Sequence, residues 1–489
     1  MDRSDPGRYP QPVIQELPTD TKAALEVAVA HAFEFLESLE GRAVNATVDA
    51  AALRERLDVP LAAAGIPARD AIEQLVRGVD GGLLGMPSGR FFAWVIGGAS
   101  PAALAADWLT AAWGQNAALY ACSPAASVAE EIAGKWLKEL LGLPPEASFA
   151  FVTGCQMAHV TALAAARHAL LRTRGWDVEA RGLWAAPAVR IITSRHQHAS
   201  VERAVRLLGM GTHCLTPLHP NDRDVIDPAD LRAVLAADAS APTIVVLQAG
   251  DINTGVFDPL ESLIPIAKHY GAWVHVDGAF GLWAGASERY RHLVAGVEGA
   301  DSWATDGHKW LNVPFDCGYA FVRDSVAHRA AMSVSAPYIA AGTDTRDQID
   351  WNPEWSRRAR GFVTYAALLE LGRRGVSDLI ERTCRHASAI VEGLGRLRGA
   401  DVLWRPILNQ GLVRFLDPRE DASETDHDRQ TERAVRAIAA TGEAFFAATT
   451  WRDRRAMRVS VLNWRTSDED VRRAVAAVER ILAELAAPA

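Results

Sequence analysis

The 489-residue sequence has few cysteines, no long apolar run and no concentrated block of basic residues. Its five cysteines are widely spaced and odd in number, so they predict neither a disulfide framework nor a metal-binding pattern. No uninterrupted apolar run reaches the roughly 18 residues that a membrane-spanning helix needs. The first ten residues are polar and lack the apolar core of a signal peptide, so we expect a cytoplasmic protein without a membrane partner.

The charge balance excludes a further class of partner. The formal net charge is −9, and acidic and basic residues are interspersed along the chain. Because a nucleic-acid site needs clustered basic residues to neutralise phosphates, we predict no nucleic-acid partner. Hydrophobic residues make up 49% of the chain and charged residues 23%, which is typical of a soluble globular protein, and the length favours two or three lobes over a single core.

Hydrophobic periodicity predicts the order of the secondary structure. Apolar residues recur at helical spacing from Thr19, and a second helix is expected over 68–76. A capping box over Ser127–Glu130 predicts a helix that ends at Gly142. Further along, short β-rich runs alternate with helical patterns, which predicts a largely parallel sheet with functional groups at the carboxyl ends of its strands. The expected strands cover 149–153, 189–193, 243–247, 273–276 and 302–305, with 402–404, 411–415 and 457–462 in a small C-terminal domain.

Asp277 and Lys309 form the most informative pair in the chain. Asp277 directly follows the expected strand 273–276, and Lys309 follows a histidine shortly after the next strand. The chemistry of pyridoxal 5'-phosphate (PLP) needs such a pair: a lysine amine that holds the cofactor aldehyde as a Schiff base, and a carboxylate that keeps the pyridine nitrogen protonated. A reactive lysine also needs a depressed pKa, which burial supplies. Alone the pair is weak support, because lysines are usually surface residues and such aspartates usually belong to turns.

Three segments resemble one enzyme family. The segments HVDGAFG (275–281), DGHKW (306–310) and NVPFDCG (312–318) are similar to the group II PLP-dependent decarboxylases, which include aromatic-L-amino-acid decarboxylase, and the similarity extends from about Phe91 to the C-terminus. The resemblance implies an α/β fold-type I PLP enzyme, with a mostly parallel seven-stranded sheet in a large domain, an N-terminal helical arm and a small α+β C-terminal domain. We therefore expect a helical dimerisation segment over 1–120, a PLP-binding domain over 121–372 and a small domain over 373–489.

The same resemblance assigns roles to individual residues. It makes Lys309 the Schiff-base lysine, Asp277 the partner of the pyridine nitrogen, and His198 the histidine that stacks on the ring and takes part in acid–base steps. The turn from Gly154 to Gln156 opens a predicted helix, whose N-terminal amides would form a phosphate site. The phosphate-site residues are Gly154, Cys155 and Gln156; further cofactor contacts are implied for Asp251, Asn253, Ala279, Asp306, His308 and Gly372, and substrate contacts for Trp94, Tyr120 and Gln348.

One position departs from the family pattern. In the decarboxylases a loop tyrosine protonates the substrate α-carbon after CO2 leaves; here that position is assigned to Gln348, in an expected mobile loop over 335–351, and Tyr338 is assigned to another position. An amide cannot supply a proton as a phenol does. Three outcomes stay open: His198 or a water donates the proton, oxygen intercepts the carbanion and an aldehyde forms, or the carbanion attacks another electrophile.

We predict decarboxylation of an aromatic or otherwise apolar L-amino acid to the amine and CO2. The alternatives are an aldehyde synthase or a carbon–carbon lyase on the same scaffold, a transaminase that uses Arg458 or Arg465 as a carboxylate clamp, and a PLP-binding pseudoenzyme. Gly97 stands where the family contacts a catechol hydroxyl, which disfavours a catechol substrate. The family builds each site from two chains, so the resemblance also implies a homodimer in which Gly372 reaches the phosphate of the neighbouring subunit.

Overall fold

The computed structural model describes residues 19–334 and 345–487 of the chain. Residues 335–344, which include Tyr338 and most of the predicted mobile loop, lie outside the described residues. Contacts divide the chain into two compact units, Met1–Gly85 and Met86–Ala489. No helix in the two described ranges is both long and apolar enough to cross a membrane.

In its described part, the first unit contains three helices. α1 (Thr19–Ser38) contacts α3 (Ala68–Val79), and both confirm helices that apolar periodicity predicts. Between them, α2 (Ala50–Leu57) begins after Asp49, whose carboxylate accepts a hydrogen bond from the amide of Ala52 at 2.9 Å. No residue of α1 is fully buried, and Leu25 and Phe33 of its apolar stripe are exposed in the single chain.

The second unit alternates helices and strands. Its helices are α4 (Pro101–Trp113), α5 (Pro124–Leu141), α6 (Cys155–Arg172), α7 (Val178–Arg181), α8 (Ala199–Leu207), α9 (Pro228–Ala237), α10 (Leu260–His269), α11 (Ser325–Met332), α12 (Arg360–Leu394), α13 (Glu424–Ala440) and α14 (Asp468–Ala486). Its strands are β1 (Phe91–Phe92), β2 (Ser148–Val152), β3 (Arg190–Ser194), β4 (Leu215–Leu218), β5 (Thr243–Gln248), β6 (Trp273–Asp277), β7 (Ser302–Asp306), β8 (Gly318–Val322), β9 (Ala400–Trp404), β10 (Gln410–Phe415), β11 (Phe445–Trp451) and β12 (Arg454–Ser460). Short 3-10 turns cover 212–214, 281–286, 291–294, 297–299 and 348–350.

A seven-stranded sheet forms the centre of this unit, in the order β2-β8-β7-β6-β5-β3-β4. β4, β3, β5, β6 and β7 run parallel to one another. β8 lies between β7 and β2 and is antiparallel to both. Every residue of β5, β6 and β7 is buried, and β5 accordingly appears in the sequence as a nearly continuous apolar run. The predicted mostly parallel α/β sheet of a fold-type I enzyme is therefore confirmed.

A second sheet of five strands has the order β1-β11-β12-β10-β9 and shares an apolar core with α12, α13 and α14. β1 pairs in parallel with β11, and Phe91 and Phe92 are both buried, as expected for core residues. Residues near position 90 thus add a strand to a sheet built mostly from the C-terminal region. The predicted domain boundaries at 120/121 and 372/373 stay predictions; Gly372 itself lies at a kink within α12, with a φ of 56°.

The predicted capping box at Ser127 is wrong. α5 begins earlier, after Ser123, whose hydroxyl accepts a hydrogen bond from the amide of Ala126 at 3.3 Å. Pro124 occupies the first helical position, where its missing N–H costs no hydrogen bond. Ser127 consequently lies inside the helix and is fully buried.

Candidate active site

The carboxyl ends of β6 and β7 bring the predicted lysine and carboxylates together. These strands are parallel neighbours, Asp277 ends β6 and Asp306 ends β7. The Lys309 Nζ lies 3.2 Å from Asp306 Oδ2, and the lysine side chain is 20% exposed. Asp277 is buried at 6% exposure, so its charge must be stabilised by neighbouring groups.

The pKa of Lys309 differs from the expectation. Burial by itself would lower the pKa of this amine, but the carboxylates of Asp306 and Asp277 outweigh that effect and raise it. The pKa of the Lys309 amine is therefore raised, whereas the sequence analysis predicts a depressed pKa. The amine is protonated at neutral pH and paired with Asp306, and it must lose a proton before it can form a bond to carbon.

Asp277 shows the opposite balance. Burial by itself would raise the pKa of its carboxyl, but His159, His198 and Lys309 outweigh burial, and the pKa is lowered. The carboxylate is thus an anion at neutral pH. Its Oδ1 accepts a hydrogen bond from the amide of Ala279 at 3.2 Å, and the Ala279 carbonyl accepts one from the Asp306 amide at 3.0 Å. Ala279, a predicted cofactor contact, thereby links the two carboxylates through its backbone.

The N-terminus of α6 points at the same group of residues. Its first amide, that of Cys155, donates a hydrogen bond to Asp306 Oδ1 at 2.6 Å. A β-carbon added to Gly318 would lie 2.5 Å from the α-carbon of Gly154, so the turn and β8 approach each other closely. The side chain of Gln156 donates to the carbonyl of Ser200 at 3.1 Å and so joins the start of α6 to the start of α8.

The two predicted histidines lie near the group formed by Lys309, Asp277 and Asp306. His198 precedes α8, and its Nδ1 accepts a hydrogen bond from the amide of Ser200 at 3.3 Å, which leaves the proton of the neutral ring on Nε2. Desolvation lowers the pKa of His198, with partial opposition from Asp277. His308 Nε2 lies 3.7 Å from Asp306 Oδ1, and burial likewise lowers its pKa. Both rings are therefore neutral at neutral pH.

Asn312, which the sequence analysis did not single out, and Gly97 hold the backbone around Lys309. The buried Asn312 donates through Nδ2 to the carbonyl of Leu462 at 2.9 Å and accepts at Oδ1 from the amides of Gly98 at 2.7 Å and Trp464 at 3.0 Å. A β-carbon on Gly97 would lie 1.9 Å from the Lys309 carbonyl oxygen, so this position requires glycine whatever the substrate is.

Trp94 has a partly exposed side chain with aromatic neighbours, and its predicted substrate contact stays a prediction. Its side chain is 46% exposed, lies near Phe445 with a ring-centroid distance of 5.3 Å, and sits three residues before the glycine that touches Lys309. Phe315 is also exposed, with its ring 4.7 Å from that of His308. Two exposed aromatic side chains therefore lie beside the segments that frame the lysine.

Asp251 and Asn253 contact other partners. Asp251 is buried, and its Oδ1 accepts hydrogen bonds from the amides of Asn253 and Thr254, each at 2.8 Å, and from the Thr254 hydroxyl at 2.9 Å. Asn253 Oδ1 accepts from the Thr449 hydroxyl at 2.8 Å. Asp251 thus stabilises its own turn, and Asn253 joins that turn to β11. Their predicted cofactor contacts stay predictions, as does that of Gly372, whose α-carbon has open space around it.

Gln348 is not where the sequence analysis expects it. It is fully buried at the start of a 3-10 turn, and its Oε1 accepts a hydrogen bond from Arg346 Nε at 3.0 Å. The neighbouring Asp347 Oδ1 accepts from the amide of Tyr120 at 2.8 Å, so Tyr120 lies beside this turn. Gln348 is thus buried within a 3-10 turn and not part of an exposed loop, and its predicted substrate contact stays a prediction.

Asp277 belongs to a buried cluster of three groups that could bind a metal. Cys155, His159 and Asp277 are all buried, and their potential ligand atoms lie within 4.8 Å of one another. Burial raises the pKa of the Cys155 thiol well above its usual range, so it is protonated and a poor metal ligand. No metal site is assigned to this cluster. His159 escaped the sequence analysis, although it follows Cys155 by one helical turn and so shares its face of α6.

These residues fit PLP. Lys309 offers an amine, Asp277 a buried anion for a pyridine nitrogen, and the α6 N-terminus backbone amides for a phosphate. Gly318 packs so closely against the backbone of Gly154 that a side chain at position 318 would not fit.

Comparison with known proteins agrees with this donor set. Residues 57–409 match the family model described as the pyridoxal-dependent decarboxylase conserved domain. An aromatic-L-amino-acid decarboxylase of Bacillus atrophaeus is 26% identical over 445 residues, which cover 90% of this chain and 90% of that protein. A phenylacetaldehyde synthase of Rosa hybrid cultivar is 26% identical over 380 residues, 74% of this chain and 73% of that protein. The crystal structure of Oryza sativa TDC with PLP and tryptamine has a TM-score of 0.89 at 24% identity, covers 96% of this chain and 99% of that chain, and shares its fold.

Proposed function

Because the chain belongs to the pyridoxal-dependent decarboxylase family and is a PLP-dependent carboxy-lyase of amino acids, we propose that it converts an aromatic or otherwise apolar L-amino acid to its amine and CO2. The observation that supports the site assignment is the placement of Lys309 and Asp277 at the carboxyl ends of adjacent parallel strands, with the carboxylate buried and ionised.

The residue roles are those that the resemblance to the family implies, and the contacts of the side chains are compatible with them. Bound PLP would supply an electron sink for the bond between the α-carbon and the carboxylate. Lys309 would hold the cofactor covalently, and Asp277 would hold a proton on the ring nitrogen. The amides at the start of α6 would hold the phosphate, with Gly154 allowing the close approach. We assign proton transfer at the α-carbon to His198, whose neutral ring carries its one proton on Nε2.

The substrate class rests on the exposed aromatic side chains of Trp94 and Phe315 near the lysine segments. The similar Bacillus atrophaeus enzyme carries the name of an aromatic-L-amino-acid decarboxylase, which favours the same class. We expect kcat/KM for L-tryptophan, L-tyrosine or L-phenylalanine to exceed that for L-glutamate by at least about tenfold, since an apolar wall offers no partner to a second carboxylate. Preference for L-glutamate in a CO2-release assay would contradict this assignment.

An aldehyde synthase is the second candidate. The similar rose protein is named a phenylacetaldehyde synthase, and such an outcome shares every step up to the loss of CO2. The two functions then differ only in whether the carbanion is protonated or reacts with oxygen. Quantifying amine, aldehyde, ammonia and peroxide together with CO2 separates them.

The buried position of Gln348 leads to a prediction about stability. Gln348→Ala removes a hydrogen bond with Arg346 and leaves a small cavity, so we expect a destabilisation of about 1–3 kcal/mol and a melting temperature lower by a few degrees. We expect the ratio of amine to aldehyde to stay unchanged, because the buried side chain is engaged with Arg346. Thermal unfolding and product analysis of the same preparation test both statements. A shifted product ratio at unchanged stability would restore Gln348 to the catalytic site.

The proposed homodimer rests on the exposed apolar face of α1. Leu25 and Phe33 are 53% and 54% exposed although both belong to the apolar stripe of this helix. We expect a two-fold symmetric dimer that buries on the order of 2,000 Å² or more. Phe33→Asp should weaken the dimer, and Glu34→Gln, an exposed change on the same helix, should not. Sedimentation at working concentration tests this; a fully active wild-type monomer would refute it.

We also propose that the protein is cytoplasmic.

A further inference from the structure

A buried row of polar side chains extends from Asp277 into the protein. His159 Nε2 lies 3.5 Å from Asp277 Oδ2, and His159 Nδ1 lies 2.9 Å from His275 Nε2. His275 Nδ1 lies 2.9 Å from the Ser302 hydroxyl, which accepts a hydrogen bond from Trp273 Nε1 at 2.9 Å. The two histidines and Ser302 have no exposed surface, and Trp273 is 7% exposed. This row of four residues behind Asp277 has no part in the reaction steps assigned above.

The two ends of this row determine where its protons lie. An indole nitrogen can only donate a hydrogen bond, and an ionised carboxylate can only accept one. The consistent arrangement is therefore one in which Ser302 donates to His275 Nδ1, His275 Nε2 donates to His159 Nδ1, and His159 Nε2–H points at Asp277. The reverse arrangement would place an unprotonated His159 nitrogen against the carboxylate, with a repulsion between lone pairs in a buried site.

Both histidines are neutral in this arrangement. Burial lowers the pKa of His159, and burial together with His159 lowers the pKa of His275 to about 3. A neutral imidazole can donate a hydrogen bond to Asp277 without transferring a proton to it. The titratable groups that face the pair among the described residues are Cys155 on α6, His198 before α8, His275 on β6, and Asp306 and Lys309 at and after the end of β7.

We propose that His159 is a positioning residue that, through its N–H directed at Asp277 from 3.5 Å, keeps the proton shared between Asp277 and the cofactor on the pyridine nitrogen. The inference rests on the proposed role of Asp277. A carboxylate that faces the buried N–H dipole of His159 is a weaker base, so the shared proton stays on the ring. Without that donor, the buried carboxylate becomes more basic, the proton moves towards Asp277, and the ring becomes a weaker electron sink.

The direct test is nitrogen-15 NMR of the holoenzyme loaded with PLP labelled at its pyridine nitrogen. The wild type should show a protonated ring nitrogen. His159→Leu should move the signal towards that of the neutral pyridine, weaken PLP binding by about tenfold or more, and lower kcat with little change in KM. His159→Gln places an amide N–H near the position of Nε2 and should restore most of the wild-type signal.

Two further variants separate positioning from general packing. Ser302→Ala breaks the row two links from Asp277 and should shift the nitrogen signal in the same direction by a smaller amount. Thr161→Val changes another fully buried polar residue of α6, whose hydroxyl donates to the Met157 carbonyl, and should leave the signal unchanged. Unchanged nitrogen signals in both His159→Leu and Ser302→Ala would overturn the role of His159. A wild type that binds no PLP would instead refute the cofactor assignment and this inference together.

Discussion

Lys309→Ala should lower kcat/KM by roughly a thousandfold or more, because the residue supplies the covalent attachment of the cofactor in each turnover. Borohydride reduction of the wild type should fix PLP on Lys309, at the amine that lies 3.2 Å from Asp306 in the protein without cofactor. In the variant this adduct should disappear. Mass spectrometry of the proteolysed, reduced protein identifies the modified residue.

Lys135→Ala is the matched control, since Lys135 is an exposed lysine on α5. Its activity and its adduct at Lys309 should equal those of the wild type. A reduced adduct that persists on another lysine in Lys309→Ala, with activity retained, would show that the site has been assigned to the wrong residue. Circular dichroism of both variants establishes that loss of activity is not loss of fold.

Asp277→Asn should lower kcat/KM by about a hundredfold to a thousandfold. The substitution preserves the shape of the side chain and its ability to accept the hydrogen bond from Ala279, but it removes the buried negative charge. A neutral amide cannot hold a proton on the pyridine nitrogen, so the ring loses much of its capacity to accept electrons. Steady-state kinetics with saturating PLP separates this loss from weaker cofactor binding.

Glu202→Gln, which neutralises an exposed carboxylate on α8, should leave kcat/KM within about twofold of the wild type. If Asp277→Asn retained wild-type activity at saturating PLP, the charge of Asp277 would have no role in the reaction. The proposed role of His159 would then fail as well, since it acts only through that carboxylate.

The parallel strands could be predicted from local patterns, whereas the lysine–carboxylate pair also needed the family resemblance. β5 and β6 are buried along their whole length and are mainly apolar, and each ends at a polar residue. The parallel arrangement then places Asp277 and Asp306 at one edge of the sheet. β8 was not predicted, although it is a short apolar run like β5.

Contacts between distant segments could not be predicted. Asn312 joins segments near Gly98 and Leu462, and nothing in its immediate neighbours indicates those partners. The pKa of Lys309 was misjudged for the same reason, since its direction depends on how close Asp306 lies to the amine. His159 had a detectable signal, one helical turn after Cys155, but its approach to Asp277 depends on how α6 packs against β6.

The burial of Gln348 illustrates a different limit. The loop that precedes it has little periodicity, so its register was inferred by counting residues. The structure places Gln348 inside a 3-10 turn, buried and bonded to Arg346. Counting along a polar loop cannot predict this burial, because burial depends on contacts that the local sequence does not encode.

The most direct test of the central claim is the fate of an isotopic label in the α-carboxylate of L-tryptophan, L-tyrosine and L-phenylalanine. With PLP-loaded wild type, we expect one labelled CO2 for each molecule of amino acid consumed, and no release above background with Lys309→Ala. Label that remains in a keto acid would indicate transamination, and cofactor bound to Lys309 without turnover of any amino acid would indicate a pseudoenzyme. Either result would contradict the assignment of decarboxylase activity to this site.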